Sequence, residues 1–123
     1  MPQPLTSGPA PEVVGVTPGG APIAVDVSDD EVTLLFLTSD CKECKRCWER
    51  AAGAAKTGEG ALTIIITPDP ATDSRRSVAR QAPAGTTVVM SSAAWHCYGV
   101  TKAPWRVQVR SGAIASSGPA VQT

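Results

Sequence analysis

The sequence predicts an α/β domain in which helices flank a central mixed β-sheet. Strand-length segments rich in apolar and β-branched residues alternate with segments rich in helix-forming residues. Two of the apolar segments, Val32–Leu37 and Ala61–Thr67, have the nearly continuous hydrophobicity of strands that are buried on both faces. A final pair of strand-like segments is joined by the turn Ser111-Gly112. We therefore expect parallel strands with right-handed crossovers in the first half and an antiparallel pair at the end.

An N-terminal β-hairpin is predicted before this core. Pro18-Gly19-Gly20 is a strong turn signal between the short β-branched runs Val13–Thr17 and Pro22–Val27. Residues 1–12 contain four prolines and few residues that a core could bury. We accordingly predict a flexible proline-rich leader over residues 1–12, a folded domain over residues 13–118 and a C-terminal tail over residues 119–123.

The other elements are predicted from caps and breaks. Thr38-Ser39-Asp40 ends the first buried strand with residues that favour helix N-caps. Helix-forming residues continue from Lys42 to about Lys56, and Gly58 and Gly60 then end the helix. The remaining predicted elements are a short helix over Asp73–Gln81, a strand over Thr86–Met90, a short helix from Ser91 through Tyr98, and strands over Trp105–Arg110 and Ala113–Ser117.

The length and charge of the chain exclude several classes of protein. Its 123 residues suit one domain, and its 11 Lys and Arg balance its 11 Asp and Glu. This balance argues against nucleic-acid binding and against a polybasic membrane-surface protein. No apolar run approaches the roughly 20 residues that cross a bilayer. We expect a monomer that makes no membrane contact through this chain.

The distribution of the four cysteines indicates redox or metal chemistry. Cys41, Cys44 and Cys47 lie close together and Cys97 stands alone, whereas a disulfide scaffold would spread its cysteines to close long loops. The C-x-x-C of Cys41 and Cys44 falls where a buried strand gives way to a helix. Backbone N–H groups and the helix dipole stabilise a thiolate there. We predict that Cys41 is the attacking thiol and Cys44 the more buried resolving thiol, with no cofactor.

Two segments of the chain resemble the thioredoxin-like superfamily, in particular its TlpA/ResA-like thiol–disulfide oxidoreductase branch. They are the strand and C-x-x-C of Phe36–Cys44 and the stretch Tyr98–Trp105, which looks like the family's YGV-x-x-P segment. The resemblance covers about residues 13–118 and implies a thioredoxin-like fold and exchange with protein thiols and disulfides. It also implies a cis proline that faces the disulfide, and substrate-binding residues Ala103, Pro104 and Trp105.

The chain departs from the family beside its cysteines. Asp40 replaces the familiar tryptophan before Cys41, and a negative charge there opposes the thiolate. Leu35 occupies the place of the buried carboxylate that thioredoxins carry on the preceding strand. The proton in the resolving step must therefore come from another group, and Glu43, Lys102 and water are the candidates.

Other chemistries use some of the same residues. A copper- or zinc-binding module could use Cys41 and Cys44 with His96 or Cys97. An iron–sulfur run would require a fourth cysteine where Ala51 stands, and a peroxidatic site would require a proline at Leu34. For Cys47 we expect a place in the core on the same helix face as Cys44.

Location is predicted from two features. The proline-rich start and the branch that the chain resembles favour the outer face of a bacterial membrane, with an anchor that is absent from this chain. The cytoplasm is the alternative.

Overall fold

The computed structural model describes residues 7–28, 31–57 and 62–120. The predicted α/β class is confirmed, and the described elements agree with the predicted ones to within two residues at each end. In chain order they are β1 (Val13–Val16), β2 (Pro22–Val25), β3 (Glu31–Phe36), α1 (Lys42–Thr57), β4 (Leu62–Thr67), α2 (Arg75–Gln81), β5 (Thr87–Met90), α3 (Ser92–Cys97), β6 (Trp105–Arg110) and β7 (Ala113–Pro119).

The strands of the described residues form one seven-stranded mixed sheet in the order β2-β1-β5-β4-β3-β6-β7. The strands β3, β4 and β5 are parallel neighbours, as predicted for segments joined by helical crossovers. Antiparallel partners lie on both sides of them, because β1 pairs with β5 and β6 pairs with β3. The central β3 is therefore hydrogen-bonded on both edges, and it is the strand that leads into the cysteines.

The core consists of two clusters on opposite faces of this sheet. Along β4, Ile64 and Ile66 belong to one cluster and Ile65 to the other, because successive side chains of a strand point to opposite faces. The first cluster contains Ala94 and Tyr98 from the α3 segment. The second contains residues of α1 and α2, so these two helices cover the opposite face from α3.

The three helices of the described residues differ in length and capping. The helix α1 has 16 residues, whereas α2 has seven and α3 has six. Ser74 caps α2 by accepting from the N–H of Ser77, and Ser91 caps α3 by accepting from the N–H of Ala94. No helix in the described part of the chain is long and apolar enough to cross a membrane.

The predicted N-terminal hairpin is present and lies close to β5. Gly20 occupies its turn with a φ of 93°, a conformation that glycine adopts without steric cost. A Cβ at Gly15 would lie 2.3 Å from the carbonyl oxygen of Met90, so β1 requires glycine where it approaches β5.

Part of the predicted leader, residues 1–6, lies outside the described residues. Nearer the domain, Ala10 donates its N–H to the carbonyl of Gly112 at 2.9 Å, and Ile114 donates to Gly8 at 2.8 Å. The Tyr98 hydroxyl donates to the carbonyl of Pro11. The residues just before β1 are thus hydrogen-bonded to the domain.

Candidate active site

Cys41 is the N-cap residue of α1. Its carbonyl accepts the N–H of Lys45 at 3.2 Å, and its sulfur accepts the N–H of Cys44 at 3.3 Å. A capping side chain makes this contact with the first-turn N–H groups, which have no partner within the helix. The Cys41 sulfur thus lies at the positive end of the helix dipole, where a thiolate is favoured.

The two cysteines of the C-x-x-C differ in exposure. Cys41 is half-buried, whereas Cys44 is fully buried at 0% exposure. The sequence predicted Cys44 as the more buried of the two, and the structure agrees. The side chain of Cys41 is therefore accessible from solution, whereas the side chain of Cys44 is not.

The surroundings of Cys44 hold it in the thiol form. Burial, together with contact with Cys41, raises the pKa of Cys44 to about 12. Hydrogen bonds from the backbone and side chain of Thr38 partly offset this rise in pKa, because they favour the thiolate. At neutral pH, Cys44 is consequently protonated.

The loop between β3 and α1 is tied to α2. The carboxylate of Asp73 accepts the N–H of Ser39 at 2.9 Å and also accepts the Ser39 hydroxyl. Gln81, the last residue of α2, donates its side-chain N–H to the Ser39 carbonyl at 3.3 Å. These residues lie 34 and 42 positions beyond Ser39, so the fold brings them to the loop.

The same loop is tied to its own helix and to the sheet. The indole N–H of Trp48 donates to the carbonyl of Thr38 at 3.2 Å, and Trp48 is almost fully buried. The N–H of Leu37 donates to the carbonyl of Ile66 at 3.0 Å. The chain that carries Cys41 is therefore held at three successive residues before it enters α1.

The predicted substrate-binding residues lie on different faces of the sheet. Ala103 and Cys41 both pack against the core cluster that contains Cys44, and the peptide bond between Ala103 and Pro104 is cis. Trp105 instead packs against the other cluster, and its indole N–H donates to the Ser117 hydroxyl at 2.8 Å. Ala103 thus packs against the same core cluster as Cys41, whereas Trp105 packs against the cluster on the other face.

The residues of the alternative metal site are not brought together. His96 and Cys97 are exposed at the end of α3, and α3 packs on the face of the sheet opposite α1. Across residues 7–28, 31–57 and 62–120, no group of three or more His, Cys, Asp or Glu could hold a metal ion. Cys47 is buried beside Trp48, as expected for a core residue, and burial raises its pKa.

Comparison with known proteins identifies the fold. No protein-family model and no curated protein sequence matches the chain. Among solved structures, the exposed lipoprotein thioredoxin of Streptococcus pneumoniae superposes with a TM-score of 0.74 at 15% identity, covering 92% of each chain. A thioredoxin-family thiol:disulfide interchange protein of Chlorobium tepidum gives a TM-score of 0.68 at 21% identity, covering 95% of this chain and 88% of that one.

A third structure shows that this fold is shared by more than one class of protein. The peroxiredoxin-like protein of Aquifex aeolicus gives a TM-score of 0.74 at 17% identity, covering 97% of this chain and 78% of that one. The predicted thioredoxin-like fold is confirmed by these comparisons. Because one fold hosts several chemistries, the reaction has to be argued from the residues of the site.

Proposed function

We propose that the protein is a thiol–disulfide oxidoreductase that exchanges disulfides with protein partners through Cys41 and Cys44. The observation that carries the proposal is the sulfur of Cys41, half-exposed at the start of α1 and bonded to the N–H of Cys44 at 3.3 Å. The similarity in fold to a thiol:disulfide interchange protein and to the thioredoxin domain of a thiol-disulfide oxidoreductase supports it.

The first step of the proposed reaction forms a mixed disulfide. The thiolate of Cys41 attacks one sulfur of a partner disulfide, a bond forms between these two sulfurs, and the partner's S–S bond breaks. The partner's other sulfur leaves as a thiolate and takes a proton from water. The half-exposed position of Cys41 suits this step because the partner must bring its sulfur into line with the attacking sulfur.

The second step releases the partner. Cys44 loses its proton to water and attacks the sulfur of Cys41, which forms the Cys41–Cys44 disulfide and expels the second partner thiolate. Two electrons pass from the cysteine pair to the partner in this direction, and the reverse sequence oxidises a partner dithiol. The Thr38 hydrogen bonds support the step because they stabilise the Cys44 thiolate.

The partner surface in this proposal is the segment Ala103, Pro104 and Trp105. Ala103 packs against the cluster that includes Cys44, so an extended segment bound along its backbone would lie near Cys41. Lys102 lies over the Trp105 ring, with its Nζ 5.7 Å from the ring centroid, and adds a positive charge beside this surface.

Location on the outer face of a bacterial membrane is part of the proposal. Similarity to an exposed lipoprotein thioredoxin supports it. A thiol reagent that does not cross membranes tests it, because it should label the protein in intact cells. Labelling that requires cell lysis would contradict an outer location.

Cysteine substitutions test the reaction with a peptide that contains one disulfide. Cys41→Ser should abolish reduction of the peptide. Cys44→Ser should retain the first step and accumulate a mixed disulfide between Cys41 and the peptide, visible by mass spectrometry. Cys97→Ser is the matched control at an exposed cysteine and should behave like the wild type. Equal residual activity in the first two variants would contradict the proposal.

A further inference from the structure

The polar groups of Ser39 are all bonded to one distant segment of the chain. Its N–H and hydroxyl donate to the two carboxylate oxygens of Asp73, and its carbonyl accepts from the side chain of Gln81. Asp73 immediately precedes the cap of α2, and Gln81 is the last residue of that helix. Ser39 is therefore hydrogen-bonded to residues at both ends of the α2 segment.

The burial of Asp73 indicates that its carboxylate interacts with the protein rather than with solvent. Its side chain is only 9% exposed, and both of its oxygens accept hydrogen bonds from Ser39. Burial of a carboxylate is unfavourable unless hydrogen bonds compensate it. Ser74 caps α2, so Asp73 is not needed for that task. Its carboxylate is hydrogen-bonded instead to the loop before the cysteines.

Ser39 lies where its position controls the nucleophile. It stands two residues before Cys41, and the preceding residue, Thr38, is held by the indole of Trp48. The sulfur of Cys41 reaches the N–H of Cys44 only if this loop delivers Cys41 to the cap position. A looser loop would let the sulfur leave the helix start, where the thiolate is favoured.

We propose that Asp73 is a positioning residue for disulfide exchange, which acts through Ser39 to hold the Cys41 sulfur at the start of α1. This inference rests on the proposed exchange function. It places a buried carboxylate just before α2, beside the loop that leads to the C-x-x-C. Asp73 holds the backbone of the loop and takes no part in the chemical step.

Substitutions at Asp73 and its neighbour separate positioning from general stability. Asp73→Ala removes both acceptors, whereas Asp73→Asn retains an acceptor for the Ser39 N–H and offers a donor to the Ser39 oxygen. Ser74→Ala is the matched control, because it removes the cap of α2 without contacting Ser39. Ser39→Ala removes only the hydroxyl bond and tests the same contact from the other side.

Two measurements are made on each variant while it is folded, as checked by circular dichroism. One is the rate at which Cys41 forms a mixed disulfide with oxidised glutathione. The other is the equilibrium constant of the Cys41–Cys44 pair in glutathione buffers. Asp73→Ala should slow the first by about tenfold or more, since misplacement of a reacting atom is costly. It should also shift the equilibrium constant by about tenfold, equivalent to about 30 mV for a two-electron couple.

The remaining variants decide between positioning and a merely structural role. Asp73→Asn should restore the wild-type rate to within about threefold, and Ser74→Ala should stay within about twofold of it, because the Ser39 contacts survive in both. Ser39→Ala should fall between Asp73→Ala and the wild type. Similar losses in Ser74→Ala and Asp73→Ala would overturn the inference. If Asp73→Ala does not fold, wild-type values in Ser39→Ala overturn it.

The outcome for the wild type separates this inference from the proposed function. If the wild-type Cys41–Cys44 pair never forms a disulfide in glutathione buffers, the exchange function itself fails. If the wild-type pair forms one and Asp73→Ala leaves both measurements unchanged, only the positioning role fails.

Discussion

Cys41 and Cys97 are both accessible to solvent, but they lie at opposite ends of their helices. Cys41 caps the start of α1, whereas Cys97 is the last residue of α3. The start of a helix favours a thiolate and the end of a helix disfavours it. They also differ in whether a second thiol lies nearby. Cys44 lies one helical turn from Cys41, whereas α3 contains no cysteine besides Cys97. In the proposed reaction, exposure alone does not distinguish Cys41 from Cys97, and helix position and a nearby second thiol do.

The pH dependence of the resolving step, in which Cys44 attacks Cys41, is the largest effect that we predict. Burial is the largest cause of the raised pKa of Cys44, and this cause remains when Cys41 is held in a mixed disulfide. Cys44 is therefore mainly protonated at neutral pH. Its thiolate fraction, and thus the rate at which Cys44 releases a small thiol from Cys41, should rise about tenfold for each pH unit. Stopped-flow release of thionitrobenzoate measures this rate. A rate that levels off below pH 8 would contradict a raised pKa for Cys44.

The next effect compares Cys41 and Cys97 directly. Limiting iodoacetamide at neutral pH should label Cys41 at least about ten times faster than Cys97, since the thiolate is the reactive form and the helix start favours it. Peptide mass spectrometry at short times measures both rates in one sample. Faster labelling of Cys97 would show that exposure outweighs helix position.

A smaller effect concerns the loop that delivers Cys41. Trp48→Phe keeps an aromatic ring in the core but leaves the Thr38 carbonyl without its indole donor. The free energy of unfolding should fall by about 1–3 kcal/mol, the usual cost of a buried group that loses its partner plus some lost packing. Urea denaturation followed by circular dichroism measures it. A decrease in the free energy of unfolding smaller than the decrease caused by substitution of an exposed residue would show that the indole hydrogen bond contributes little.

The smallest effect compares a buried with an exposed cysteine. Cys47→Ala should lower the free energy of unfolding by about 1 kcal/mol, because it leaves a small cavity in the core. Cys97→Ala, at an exposed site, should change it by less than about 0.5 kcal/mol. Parallel urea titrations check the pair. Equal changes would contradict a core role for Cys47.

The local parts of the fold and site were predictable from the sequence, and the long-range contacts were not. The strands β3 and β4 were predicted because their apolar runs have the length of buried strands, and Cys41 was placed at a helix start by the polar residues before it. No periodicity links Ser39 to Asp73, which lies 34 residues away, or assigns the Trp48 indole to a loop carbonyl. These contacts depend on how α2 is placed after its crossover.

The long-range placement of a helix also explains why the predicted metal ligands are not brought together in the structure. From the sequence, His96 and Cys97 were candidate metal ligands beside Cys41 and Cys44, because histidine and cysteine are common ligands of zinc and copper. In the structure, α3 packs on the face opposite α1 and leaves both side chains exposed. The helix α3 connects β5 to β6, which is antiparallel to the parallel strands, so the right-handed rule for parallel crossovers does not fix the face on which α3 packs.

The most direct test of the account is a redox titration of the wild-type protein, freed of metal, in glutathione buffers of graded potential. Thiol trapping and peptide mass spectrometry then report the state of each cysteine. We expect Cys41 and Cys44 to become oxidised together as one two-electron couple, while Cys47 and Cys97 remain thiols. A Cys41–Cys44 pair that never closes, or a disulfide between Cys47 and Cys97 in its place, would contradict it.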